Sequence, residues 1–120
     1  MMKISEIAAK YALQPDQLRY WERMGLMPPV PRDDQGQRQY RSQDELWLRF
    51  ILTFKAAQIS DDFLIEYASL AQAGPQAAPA RQDFLQAELD QQVQSCQRLT
   101  AMAGLMEQRL SASARPMSSH

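Results

Sequence analysis

The stretch from Ala80 to Ser111 contains no proline and a single glycine, Gly104, and it constrains this chain more than any other feature. Within it Leu85, Leu89, Val93, Cys96, Leu99, Ala103, Met106 and Leu110 recur over 25 residues in seven steps. That spacing is close to the period of about 3.5 residues of a coiled coil. The remaining faces are rich in Gln, Glu and Arg. A long helix with so narrow an apolar stripe finds nothing else in a chain of 120 residues large enough to bury it. Self-association is the simplest remedy, and closed twofold dimers are the commonest form. These eight residues are therefore the expected homodimer seam.

Ahead of the helix the pattern is that of a small globular domain. Ile4, Ile7, Ala8 and Tyr11 fall at i, i+3, i+4 and i+7, the face of a short amphipathic helix over 3–11. A second helix starts at Gln14-Pro15-Asp16. Proline suits its first position because no hydrogen bond is lost there, and Asp16 complements the dipole. Gly25 fits its C-cap. Leu18 and Trp21 turn inward, with Glu22 inward or sideways, and Gln14 is a weak cap beside the usual Ser or Thr. Two short helices separated by a brief turn form a helix-turn-helix candidate.

Pro28, Pro29 and Pro31 then force an extended path, and Asp33-Asp34-Gln35-Gly36 is a turn signal. Residues 30–40 are predicted to form a β-hairpin, a wing beside the two helices. A third helix is expected over 42–57, with Ser42 and Glu45 as its capping box and Leu46, Phe50 and Phe54 on one face. Ser60-Asp61-Asp62 caps a fourth, with Phe63, Leu64, Tyr67, Ala68 and Ala71 apolar. The fold class is thus mainly all-α. It comprises a winged helix-turn-helix at 1–72, a small-residue linker at 73–79, a pairing helix at 80–111 and a disordered tail at 112–120.

Charge distribution sorts the halves. Residues 1–58 carry nine Lys/Arg against seven Asp/Glu, whereas 59–120 carry four against seven, so +2 and −3 sum to the chain's −1. Five arginines and three acids lie between Arg19 and Arg41, a weak bias towards a polyanion. No apolar run reaches the roughly 18 residues that cross a bilayer, and the N-terminus does not read as a signal peptide, so a cytoplasmic protein is expected. With one cysteine, Cys96, and one histidine, His120, neither a Cys-rich metal site nor histidine acid–base chemistry is expected. No nucleophile–base pair or phosphate loop appears, so no enzyme, metal or cofactor is predicted.

Ile4-Ser5-Glu6-Ile7-Ala8, Leu18-Arg19-Tyr20-Trp21-Glu22-Arg23-Met24-Gly25-Leu26, Arg32 with Gly36-Gln37-Arg38-Gln39-Tyr40, and Asp44-Glu45-Leu46 with Leu48-Arg49-Phe50-Ile51 together resemble the DNA-binding domain of the MerR family of bacterial regulators. The segment 47–70 is most similar to the branch that answers aldehyde and nitrosative stress. The resemblance implies that 15–24 is a recognition helix in the major groove, with Arg19 and Tyr20 on DNA and Gln17 placed to read adenine. It implies that Arg38 and Tyr40 of the wing meet the flanking phosphates, helped by Arg32 and Arg41. It further implies an antiparallel coiled-coil homodimer on a pseudo-palindromic promoter, bending and untwisting double-stranded DNA for RNA polymerase.

Two departures stand out. Where the stress branch carries its sensor cysteine, this chain has Thr53, and a hydroxyl supplies no thiolate. Gln58 stands where a glycine commonly ends the third helix, so a turn of different shape is expected. Cys96 reads either as a small buried hydrophobe at the seam or as a thiol sensor, and its sequence-local cation, Arg98, is on another face. Met102 and Met106 read as seam packing rather than as a soft-metal site. Nothing after the long helix suggests a pocket for a drug-sized effector. The rival function is a protein-interaction adaptor that uses the winged fold without DNA.

Overall fold

The computed structural model describes residues 1–114 and divides into two compact units, Met1–Arg81 and a second that begins at Gln82. The first holds β1 (Met2–Lys3), α1 (Ile4–Lys10), α2 (Pro15–Met24), β2 (Gln39–Tyr40), α3 (Ser42–Ala56) and α4 (Asp61–Gln72), then a 3-10 turn at Pro75–Ala77. α5 (Ala78–Ala114) starts in the first unit and makes up the described part of the second. The class is the one predicted: helices, a wing beside the helix-turn-helix, and a long C-terminal helix.

Local rules explain the element ends. Pro15 occupies the first position of α2, and Gly25 closes it at φ +89°, with Leu26 N–H donating to the Trp21 carbonyl at 2.9 Å. That left-handed cap is strained for any residue with a Cβ. The weak cap at Gln14 is compensated from inside the helix, because Gln14 N–H donates to Gln17 Oε1 at 3.1 Å. Ser60 Oγ accepts from Phe63 N–H at the start of α4, as its sequence predicts. Gln58 adopts φ +67°. The turn after α3 therefore keeps a left-handed residue, and glutamine carries the strain that glycine would avoid.

One core serves the first unit. Ile7 and Ala8 of α1, Leu18 and Trp21 of α2, Leu48 and Ile51 of α3, and Phe63, Leu64 and Ala68 of α4 are buried, with Leu26, Met27 and Val30 filling the connection to the wing. The deep face of α3 differs from expectation. Leu46 is exposed and Phe50 half-buried, while Asp44, Leu48 and Ile51 face inward. The aromatic residues form a second layer between α3 and α4. Phe50 stacks on Phe54 at 4.0 Å between ring centroids and on Tyr67 at 5.1 Å, and Trp47 meets Phe50 edge-on.

The start of α3 also corrects the expected capping box. Ser42 is already helical, Arg41 is the N-cap, and Asp44 Oδ2 accepts from Arg41 N–H at 2.9 Å. Glu45 is used elsewhere, accepting from Lys10 Nζ at 2.6 Å and from the Tyr11 hydroxyl, which joins α1 to α3. Lys10 and Tyr11 together hold the Glu45 carboxyl below its ordinary pKa.

The wing is a hairpin closed by Asp33. Its Oδ1 accepts from Gln35 and Gln37 N–H, both at 2.9 Å, its carbonyl accepts from Gly36 N–H, and Gly36 supplies the left-handed residue at φ +79°. Arg32 and Arg38 pair across the hairpin, and Gln39 N–H donates to the Pro31 carbonyl. Unforeseen is a partner for its outer strand. β2 pairs antiparallel with β1, Met2 opposite Tyr40 and Lys3 opposite Gln39, which ties the N-terminus to the wing.

α5 is longer than predicted at both ends. The expected linker 73–79 contains the 3-10 turn, the helix starts at Ala78 with Pro79 in its first turn, and it continues through Ala114. Residues 112–114 are thus helical, and the rest of the expected tail lies outside the described residues. No residue of α5 is buried.

Candidate nucleic-acid interface

α2 turns Leu18 and Trp21 into the core, which leaves Gln17, Arg19, Tyr20 and Arg23 on its outer face. Adjacent residues on a helix point about 100° apart, so one ring packs and its neighbour faces solvent. Trp21 is the buried ring and Tyr20 the exposed one, with the Arg23 guanidinium 5.6 Å from the Tyr20 ring centroid. Arg19 Nη1 donates to Asp16 Oδ1 at 2.7 Å, both side chains well exposed. Such a surface pair contributes at most about 1 kcal/mol and exchanges readily for a phosphate or a guanine edge. Gln17 is exposed, but its Oε1 is engaged by the Gln14 N–H. A two-point contact to adenine therefore competes with the helix cap.

The four wing-side residues divide in two. Arg32 is exposed, its Nη1 donating to the Gly36 carbonyl at 3.2 Å, and it lies at the hairpin surface. Arg38 is largely covered, with 15% of its side chain exposed, and its Nε donates to Glu22 Oε1 of α2 at 2.7 Å. Tyr40, expected on the flanking phosphates, is instead 2% exposed and belongs to the core. Burial pushes its hydroxyl up to about 12, Arg38 opposing and Glu22 and Asp44 reinforcing the shift, and that oxygen has no hydrogen-bond partner. Arg41 is bound in a fork to Asp44, Nε to Oδ2 at 2.9 Å and Nη2 to Oδ1 at 3.1 Å. That hydrogen bonding raises its pKa further, and its first task is to start α3.

Between α2, the wing and the start of α1 lies a concavity of about 530 Å³ lined by Lys3, Ile4, Ser5, Arg19, Gly36, Gln37 and Arg38. Sequence reasoning found Arg19 and Arg38 here and missed Lys3 and Ser5. Only the β1–β2 pairing brings Lys3 beside the wing, and a two-residue strand leaves no periodic trace.

The predicted seam residues all lie on α5. Leu89, Val93, Leu99, Met106 and Leu110 are exposed, as is Cys96, and Leu85 is half-buried. Met102 and Leu105 are exposed beside them. Thr53 is exposed on α3. Among the described residues no group of three or more His, Cys, Asp or Glu is arranged to hold a metal ion, and no helix is long and apolar enough to cross a membrane.

Comparison with known proteins matches residues 2–62 to the MerR HTH family regulatory protein model. HTH-type transcriptional regulator AdhR of Bacillus subtilis is 40% identical over 84 residues, 70% of this chain and 60% of the relative. HTH-type transcriptional regulator YyaN of the same species is 31% identical over 56% of this chain and 49% of its own length. The chain therefore spans about half to 60% of these curated relatives. A MerR family protein from Listeria monocytogenes superposes with TM-score 0.78 at 29% identity, covering 94% of this chain and 83% of that one. HiNmlR, a MerR family regulator lacking the sensor domain and solved bound to promoter DNA, superposes with TM-score 0.79 over 91% of this chain and 86% of its own. At 22% identity that likeness speaks for the fold. The chain is thus related to AdhR, and it carries a single cysteine, Cys96. By the family model and the residues it matches, this chain belongs to the MerR family of helix-turn-helix regulators.

Proposed function

We propose that this protein is a sequence-specific DNA-binding transcriptional regulator, working as a homodimer on a pseudo-palindromic promoter element. α2 enters the major groove with Arg19 and Tyr20 outward, the wing lies on the flanking phosphates, and α5 pairs two copies. The bend and untwist of the DNA are sustained by contacts on both sides of each half-site, so deformation energy is offset by contact energy. RNA polymerase is the partner on the same promoter, and the site of action is the bacterial nucleoid.

One observation carries the reading: Arg19 and Tyr20 stand exposed on a helix whose opposite face is wholly buried, beside an arginine-bearing wing. Arg19, Arg38 and Arg41 each face a carboxylate, so the bare field is weak, and the exposed Arg19 reaches DNA by exchanging its surface partner Asp16. The test is selection of duplexes from a random library by the full chain, then titration of the selected duplex against salt. Counterion release predicts affinity that falls steeply with ionic strength. Failure to enrich any sequence, or salt-independent binding, would favour the adaptor reading.

A further inference from the structure

The Glu22–Arg38 pair joins the outward helix α2 to the wing. Glu22 sits on α2 one residue beyond Trp21, and its side chain is 13% exposed against 15% for Arg38. A charged pair so covered loses much of its hydration, and a plain stabilising role could be filled by apolar packing of similar volume. The geometry points to a different use. The bond is made through Nε, at 2.7 Å. A guanidinium has five N–H donors in a rigid plane, and engaging Nε leaves the four on the terminal nitrogens while fixing the plane's direction. Arg38 at the same time lines the concavity shared with Arg19, Lys3 and Ser5.

We propose that Glu22 is a positioning residue for DNA recognition: it clamps Arg38 by Nε so that the wing guanidinium meets a backbone phosphate in fixed register with the groove-reading face of α2. The inference rests on the DNA-binding reading above. The buried corner around the pair contains Tyr40, whose hydroxyl has no hydrogen-bond partner. Among the described residues, the other carboxylate acting on Tyr40 is Asp44, and it is held by Arg41. Without Glu22, Arg38 keeps its charge but loses its direction. A positioned arginine contributes to specific binding only when α2 is also in register, whereas a freely moving one helps every sequence alike.

The experiment compares the full chain with Glu22→Ala, Glu22→Gln, Arg38→Ala and the double variant. Each binds two probes: the duplex enriched by the wild type from a random library, and a scrambled duplex of equal length. Glu22→Ala is expected to weaken binding to the enriched duplex about tenfold, the order of one bidentate contact. Binding to the scrambled duplex should stay level or tighten, because an anion has been removed. Glu22→Gln keeps an acceptor for Nε and should fall between, and it carries the test if Glu22→Ala does not fold. In the Arg38→Ala background, Glu22→Ala should change the ratio between probes little. Equal movement of both probes in either direction would overturn the proposal, as would an undiminished Glu22 effect without Arg38. A wild type that enriches no duplex fails in its own arm, before any variant is read, and takes the DNA-binding reading and this proposal down together.

Discussion

The first unit hides its hydrophobic surface and α5 displays its own. In the first unit every helix contributes buried apolar residues to one core, and even its charges are largely paired: Lys10 with Glu45, Arg38 with Glu22, Arg41 with Asp44, Lys55 with Asp61. In α5 nothing is buried, and Leu99 and Leu110 are 59% and 70% exposed. Burial of a leucine contributes about 1.5–3 kcal/mol, so a row of leucines in water is an unspent driving force. Such a row marks an interaction surface. The contrast separates a unit with its own core from a helix whose apolar stripe is left exposed, the stripe that the proposed function pairs with a second copy.

Substitutions should respect this division, and the largest effect is expected in α5. Leu89→Asp with Val93→Asp puts two charges into the seam and should convert dimers to monomers by light scattering, with half-site binding weakened at least a hundredfold. Melting of the first unit should be unchanged. Dimers that persist would show that the seam lies elsewhere.

Asp44→Ala acts on the other side of the comparison. Asp44 is 1% exposed and holds both the Arg41 guanidinium and its N–H. Its loss removes the α3 cap and a bidentate pair, which should cost about 2–4 kcal/mol in urea unfolding while leaving the α5 seam intact. Arg19→Ala should cost about 1–3 kcal/mol of specific DNA binding and no stability, since its partner Asp16 is fully solvated at the surface.

Acid should also act on the first unit. The Glu45 carboxyl is held below its ordinary value by Lys10 and Tyr11. A depressed carboxylate contributes stability that is present above its unfolded value and lost as pH falls through the folded one. Wild-type stability should therefore decline below the ordinary glutamate range, about pH 4.3, and Glu45→Gln should flatten that decline in a pH series of urea melts. The smallest effect is a gain. Gln58→Gly relieves a left-handed residue at φ +67° and should stabilise by about 0.5–1 kcal/mol.

What could be read from the residues follows from how local each cause is. Pro15 and Gly25 bracket α2, and Ser60 opens α4, because a cap depends on neighbours within one turn. The long helix α5 was legible because its apolar period extends over many turns. Three features depended on longer-range packing and escaped. Ser42–Glu45 and Arg41–Asp44 are both i, i+3 pairs, and only the approach of Lys10 and Tyr11 draws Glu45 away and leaves the cap to Asp44. The large aromatics of α3 look like its deepest face, yet they form the layer against α4 while Leu48 and Ile51 reach the core. Tyr40 alternates with Gln39 as a strand residue should, but its inward side is set by pairing with Met2, a contact 38 residues away in sequence. The same pairing brings Lys3 to the concavity that Arg19 and Arg38 line. At the candidate site, residues on α2 were therefore legible, and those on the wing were legible in kind but not in orientation.

The central claim is that two self-sufficient readers are joined by α5 on one duplex. Sedimentation of the full chain with its enriched duplex measures this directly. The account predicts two chains per duplex, and one chain per half-site with the Leu89→Asp, Val93→Asp variant. A wild-type complex holding a single chain on the whole duplex would contradict it.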